Sequence, residues 1–200
     1  IKSLDMDGRV LLCSSFSKTL APGLRVGWVA PGRYFDRVLH MKYISTGSTV
    51  TQTQMAVAAF IRQGYYQPHL RRMRSDYQRN FEVFTRRVRH HFPCGICLTR
   101  PQGGFLLWVE LPEPFDALRL NQDLRASHIQ IAVGSLFSAS GKYRNCLRLS
   151  YAQPFTDKTD RALEILGEAV ERAMLCCPAV AEPSARGEAG EGRVSEKEGY

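Results

Sequence analysis

The chain alternates short apolar runs with longer stretches in which apolar residues recur every three or four positions, the pattern of an α/β fold. Residues 10–13 form an apolar run ending in Ser14-Ser15 and predict a buried strand that leads into a loop. A second strand is expected at 24–30, after the Pro22-Gly23 turn. Pro31-Gly32 opens a helix expected to reach about residue 43, with Phe35, Val38, Leu39 and Met41 at helical spacing. Residues 44–53 read as a polar, Thr-rich loop, and 54–62 as a helix ended by Gly64.

The clearest helix is 68–92, where Leu70, Met73, Tyr77, Phe81, Phe84, Val88 and Phe92 fall on one stripe. Arg71, Arg72, Arg74, Arg79, Arg86, Arg87 and Arg89 lie largely off that stripe. Beyond Pro93 the period shortens. Residues 96–99 and 105–111 read as strands around a Gly103-Gly104 turn. Asp116 is placed to cap a helix running to about 127. Residues 129–133 and 146–151 are further strands. Thr156 or Asp157 starts a last helix whose inner face carries Leu163, Leu166, Ala169, Val170 and Ala173. The expected domains are therefore 1–75, an α+β module at 76–175, and a tail at 176–200 too poor in apolar residues to offset its ordering entropy, hence disordered.

Composition narrows the function classes. The hydrophobic fraction of 44% and charged fraction of 23% are ordinary for a globular chain. No apolar run approaches the ~18 residues of a membrane span. The net charge is +8, although Glu182, Glu188, Glu191, Glu196 and Glu198 make the tail acidic. A basic body of this kind suits anionic metabolites, and a nucleic-acid face on the arginine-rich helix is the alternative. The six cysteines form no secreted framework and read as reduced thiols of a cytoplasmic protein. Cys94 and Cys97 have CxxC spacing with His90 and His91 nearby, but no second pair completes a metal site, so no metal is expected. GxSxG, P-loop and GxGxxG motifs are absent. The chain starts Ile-Lys-Ser-Leu-Asp, which reads as an internal start.

The chemistry concentrates between Ser14 and Trp28. Lys18 follows a strand by a few residues and is flanked by small hydroxyl side chains. Desolvation and a neighbouring cation lower a lysine's pKa and make its amine nucleophilic toward carbonyls. Arg25, Ser15 and Ser17 supply the cation and donors a phosphate monoester needs. An amine beside a phosphate cup suits an aldehyde phosphate such as pyridoxal 5′-phosphate, PLP. A surface lysine in a polar turn is the plainer alternative.

The string from Ser15 to Gly27, SFSKTLAPGLRVG, resembles the Schiff-base signature of fold-type I PLP-dependent aminotransferases. Serines three and one before the lysine and an arginine seven after it are similar to the branch holding the 2-aminoadipate and kynurenine aminotransferases. PQGGFLLW at 101–108, FSASG at 137–141 and RNCLRLS at 144–150 resemble in particular the aminotransferase-like domain of MocR-type regulators of the GntR family. The resemblance runs from about residue 4 to 172. It implies an α/β fold, the C-terminal part of the PLP-binding large domain followed by a small α+β domain. It implies that Lys18 forms the Schiff base and moves a proton, that Ser15, Ser17 and Arg25 hold the phosphate, and that Arg148 clamps the substrate carboxylate. Gly103-Gly104 would approach the site closely, with Phe105 and Tyr143 as possible neighbours, and residues 45–53 would reach toward a partner subunit. The aspartate that pairs with the pyridine nitrogen in relatives lies upstream of anything here. Asp5 and Asp7 sit in a turn and are not expected to replace it. The first half of the large domain is thus expected to be missing, leaving an incomplete sheet. The resemblance further implies a homodimer acting on an α-amino acid and a 2-oxo acid. The alternative it allows is an effector-sensing module of a transcription regulator, contacting DNA only through an upstream winged helix. A non-functional truncation product is the third possibility.

Overall fold

The computed structural model describes residues 1–175 and the backbone of 195–198. The chain divides into two compact units, the first Ile1–Met73 and the second beginning at Arg74.

The first unit holds β1 (Leu12–Ser15), β2 (Gly27–Ala30), α1 (Phe35–Thr46), α2 (Thr51–Arg62) and the start of α3 (Tyr66–His91). β1 and β2 form a two-stranded antiparallel ribbon, with Leu12 opposite Ala30 and Ser15 opposite Gly27. The second strand starts later than residue 24 because Pro22–Leu24 is a 3-10 turn and Arg25 adopts a left-handed φ of 50°. The ribbon is not buried, contrary to the sequence expectation. Leu11, Leu12 and Trp28 are each exposed by more than two fifths, because no further layer of the described residues covers them. Only Val57 and Leu70 of this unit are buried.

The expected loop at 44–53 shrinks to 47–50. α1 runs on to Thr46 because neither glycine nor proline interrupts it before Gly47. Gly47 then ends it with a φ of 64°, its N–H donating to Tyr43 O at 3.0 Å. α2 begins three residues earlier than expected, at Thr51. In α3, Pro68 lies in the first turn, where a missing N–H leaves no bond unmade.

The second unit has a real core. β3 (Cys97–Arg100), β4 (Leu106–Glu110), β5 (Ala132–Val133), β6 (Cys146–Ser150) and β7 (Ser195–Glu198) form one sheet in the order β5-β6-β4-β3-β7. β3, β4, β6 and β5 pair antiparallel, whereas β7 runs parallel to β3. The tail expected from 176 otherwise lies outside the described residues. Alternation along β4 and β6 turns Leu107, Val109, Leu147 and Leu149 to one face, all buried. Phe84, Val88 and Phe92 of α3 and Leu163, Leu166 and Val170 of α5 (Asp157–Leu175) join them in one apolar cluster. α4 (Ala117–Asp123) is capped by Asp116, whose carboxylate accepts the Leu118 N–H at 2.9 Å. Thr156 caps α5, its Oγ1 accepting from the Thr159 N–H at 3.3 Å.

Helices α3 and α5 are tied at one end. Arg87 Nε donates to Asp160 Oδ1 at 2.6 Å, Arg87 also pairs with Asp160 Oδ2, and His91 Nε2 donates to Oδ1 at 2.9 Å. Arg87 above all, then His91, holds the Asp160 carboxyl down to about 2. Gly167 of α5 faces the His91 carbonyl so closely that a Cβ would lie 2.1 Å from its oxygen. Among the described residues no helix is long and apolar enough to cross a membrane.

Candidate functional site

The first cluster stands at the open end of the β1–β2 ribbon. Ser15 is paired with Gly27, and the Phe16 N–H donates to Val26 O at 2.9 Å. Ser17 and Arg25 therefore flank the next position outward, and Lys18 lies in the turn between them. That turn is wound tightly, with the Thr19 and Leu20 N–H groups donating to Phe16 O at 3.2 and 2.8 Å. Gly27 gives the ribbon a close fit here, since a Cβ would fall 3.0 Å from Ser14 O. The ribbon thus gathers Ser15, Ser17, Lys18 and Arg25 at one end without any of them being buried: Lys18, Ser15 and Arg25 are exposed and Ser17 is half-buried.

The start of α3 fixes the far side of the turn. Tyr66 Oη donates to Thr19 Oγ1 at 3.1 Å, and His69 Nε2 lies 2.8 Å from Thr19 O. A carbonyl can only accept, so His69 carries its proton on Nε2. The Tyr66 and Phe16 rings meet edge-on at 5.8 Å. Neither Tyr66 nor His69 was identified in the sequence as part of the site. Their partner lies 47 and 50 residues away in the chain, so no local spacing announces the contact.

The donor set fits an aldehyde phosphate. A primary amine can capture the aldehyde, and one guanidinium with two hydroxyls can meet the phosphate oxygens. An acidic partner for a pyridine nitrogen is not added by Asp5. Its carboxylate accepts the Val10 and Arg9 N–H groups, each at 2.9 Å, and pairs with Lys2 at 3.1 Å. The Val10 N–H leads in holding that carboxyl below its usual range. Asp7 pairs with Arg9 at the surface, 3.0 Å away.

The second cluster lies on the second unit, on the face of the sheet opposite the core. Arg148 of β6 is half-buried, with Trp108 of β4 beside it on one flank and Ala132 of β5 on the other. Its guanidinium carbon sits 4.4 Å from the centre of the Phe137 ring. Trp108 meets Phe137 and Tyr143 at 5.7 Å each, the latter at 90°. No carboxylate of the described residues forms an ion pair with Arg148. The salt bridge within the strand face that would explain this arginine structurally is therefore not found among those residues. Tyr143 does stand near Arg148, through Trp108. Phe105 packs on Tyr77, ring centres 5.5 Å apart, and among the described residues a Cβ at Gly103 or Gly104 would meet nothing within 4 Å. No group of three His, Cys, Asp or Glu side chains that could hold a metal, at Cys94 and Cys97 or elsewhere, occurs among the described residues.

Comparison with known proteins gives these two clusters a context. Residues 1–166 match the family described as aminotransferase class I and II. An uncharacterized HTH-type transcriptional regulator of Escherichia coli, YjiR, is 59% identical over 87% of this chain and 37% of its own length. Aromatic-amino-acid aminotransferase 1 of Thermococcus litoralis is 29% identical over 87% of this chain and 42% of its own. Among solved structures, a multiple-substrate aminotransferase from Thermococcus profundus superposes with a TM-score of 0.79 at 26% identity, over 88% of this chain and 44% of that one. The α-aminoadipate aminotransferase LysN of Thermus thermophilus, solved with N-(5′-phosphopyridoxyl)-L-leucine, gives 0.78 at 28% identity, over 84% and 43%. The chain spans less than half the length of these relatives.

Proposed function

Because the chain belongs to the class I and II aminotransferase family, we propose that it is a PLP-binding module in which Lys18 holds the cofactor and Arg148 takes the carboxylate of an amino acid. The observation that carries this is the ribbon end, where one amine, one guanidinium and two hydroxyls are assembled by strand register. PLP, when bound, supplies an aldehyde that accepts amino groups and a ring that withdraws electrons from the substrate Cα. Lys18 contributes the attaching amine and the base that moves the proton at that Cα. Ser15, Ser17 and Arg25 bind and orient the phosphate, which fixes where the rest of the cofactor lies. Tyr66 and His69 hold the Lys18 turn in place through Thr19. Arg148, unpaired with any described carboxylate, binds the α-carboxylate in a bidentate fork.

In the intact protein this chemistry transfers an amino group between an α-amino acid and a 2-oxo acid, in a cytoplasmic homodimer. A second reading is favoured by the 59% identity to an HTH-type regulator. There the same residues bind PLP and an amino-acid effector without turnover, and DNA is met by a separate domain. The two are distinguished by following the absorbance of the PLP-loaded intact protein after amino acid is added. Conversion of the cofactor to its amine form, with release of a 2-oxo acid, establishes the enzyme. A shifted band with no oxo acid released establishes the sensor. A Lys18→Ala variant that retains the wild-type cofactor band would refute both.

A further inference from the structure

We propose that Phe137 is a positioning residue that, seated by Trp108 and Tyr143, fixes the Arg148 guanidinium for a ligand carboxylate. This rests on the carboxylate role of Arg148 given above.

A free arginine side chain has several rotatable bonds and must lose that freedom when it binds. Here the cation already sits over the Phe137 ring, its guanidinium carbon 4.4 Å from the ring centre. A cation held over a ring keeps for a ligand those N–H donors of the fork that point away from the ring, where a carboxylate binds in two parallel hydrogen bonds. The residues directly opposite Arg148 on the two neighbouring strands, Trp108 and Ala132, carry no carboxylate.

The ring is itself held. Phe137 ends the 3-10 turn Gly134–Phe137, and Tyr143 stands on the loop that returns to β6. These two segments touch backbone to backbone at Gly134, where a Cβ would fall 2.3 Å from Tyr143 O and 2.8 Å from Cys146 Cβ. Tyr143 O in turn accepts the Cys146 N–H at 3.1 Å. Tyr143 adopts a φ of 63°, a left-handed conformation that costs a bulky residue energy and persists only where the surroundings enforce it. Trp108 then bridges the two rings. Phe137 and Tyr143 remain 45% and 50% exposed, so burial does not account for their fixed placement. The contacts of both rings with Trp108, and of Phe137 with the Arg148 guanidinium, do.

The test is a double-mutant cycle in the PLP-loaded intact protein. Calorimetry measures binding of the wild type's tightest amino-acid ligand and of the same ligand as its α-carboxamide, while the cofactor band reports PLP occupancy. Phe137→Leu should weaken the carboxylate ligand about three- to tenfold, the range of a partly desolvated cation–π contact. It should leave the carboxamide and the cofactor band unchanged, and Phe137→Tyr should restore binding. Added to Arg148→Ala, Phe137→Leu should cost nothing further, because its effect passes through the guanidinium. Unchanged affinity in Phe137→Leu, equal loss for the carboxamide, or full additivity with Arg148→Ala would overturn the proposal. If Arg148→Ala itself binds the carboxylate normally, or the wild type shows no carboxylate-dependent binding, the assignment of Arg148 fails and the proposal falls with it.

Discussion

Gly167→Ala sets two effects against each other. Alanine in place of glycine inside a helix is favourable by about 1 kcal/mol, and α5 is otherwise a regular helix. The added Cβ, however, would stand 2.1 Å from the His91 carbonyl oxygen and 2.7 Å from its carbon. Ordinary contact begins at about 3.5 Å, so the helices must part by roughly 1 Å or more. The obstacle is backbone, which cannot swing aside as a side chain would. It also lies beside the Arg87–Asp160–His91 tie, which the separation would stretch. Overpacking of this kind costs roughly 1–3 kcal/mol, and the depth of the overlap argues for the upper end. Set against the gain in propensity, the net loss is about 2 kcal/mol, or roughly 7–10 °C in the melting temperature of a unit this size. Thermal unfolding followed by circular dichroism at 222 nm, wild type against Gly167→Ala, measures it. A variant that melts at or above the wild-type temperature would refute the close α3–α5 contact, since only propensity would then remain.

The Asp160 carboxyl is held near 2, below its unfolded value of about 3.9, so its contribution is present above about pH 4 and is lost as pH falls toward 2. The gap in urea midpoint between wild type and Asp160→Asn should accordingly be full at neutral pH and close between about pH 4 and 2; a gap independent of pH would contradict this. Tyr66→Phe removes one hydrogen bond to Thr19 and should lower stability by about 0.5–1.5 kcal/mol, read from the urea midpoint. Arg25→Lys keeps the charge but loses the planar fork, so equilibrium dialysis should show PLP bound at least about tenfold more weakly. Equal affinity would remove Arg25 from the phosphate.

Where sequence and structure agree, a local pattern was enough. The apolar stripe of α3, the Asp116 and Thr156 caps, and the alternation in β4 and β6 each depend on neighbours within a few residues. The disagreements have specific causes. The Thr-rich stretch after Ile44 looked like a loop, yet α1 stops only where Gly47 can take a positive φ. Arg25 breaks the expected strand through a left-handed backbone that nothing in its side chain signals. The apolar run ending at Cys13 was expected to be buried, but hydrophobicity marks what wants cover and not whether cover is present. At the candidate site, Lys18, Ser15, Ser17 and Arg25 fall within eleven consecutive residues and were legible as a motif. Phe137 was visible only inside a string, and its stacking on Arg148 depends on a turn whose fit is set by a missing Cβ at Gly134.

The central claim is that the amine of Lys18 carries the cofactor, and one measurement addresses it directly. The intact protein is incubated with PLP, reduced with borohydride, digested with trypsin and mapped by mass spectrometry. The account expects the pyridoxyl group on the peptide spanning residues 10–25, uncut after its modified Lys18, and on none of Lys2, Lys42, Lys142, Lys158 or Lys197. An unlabelled peptide at 10–25, or a label on another lysine in its place, would contradict it.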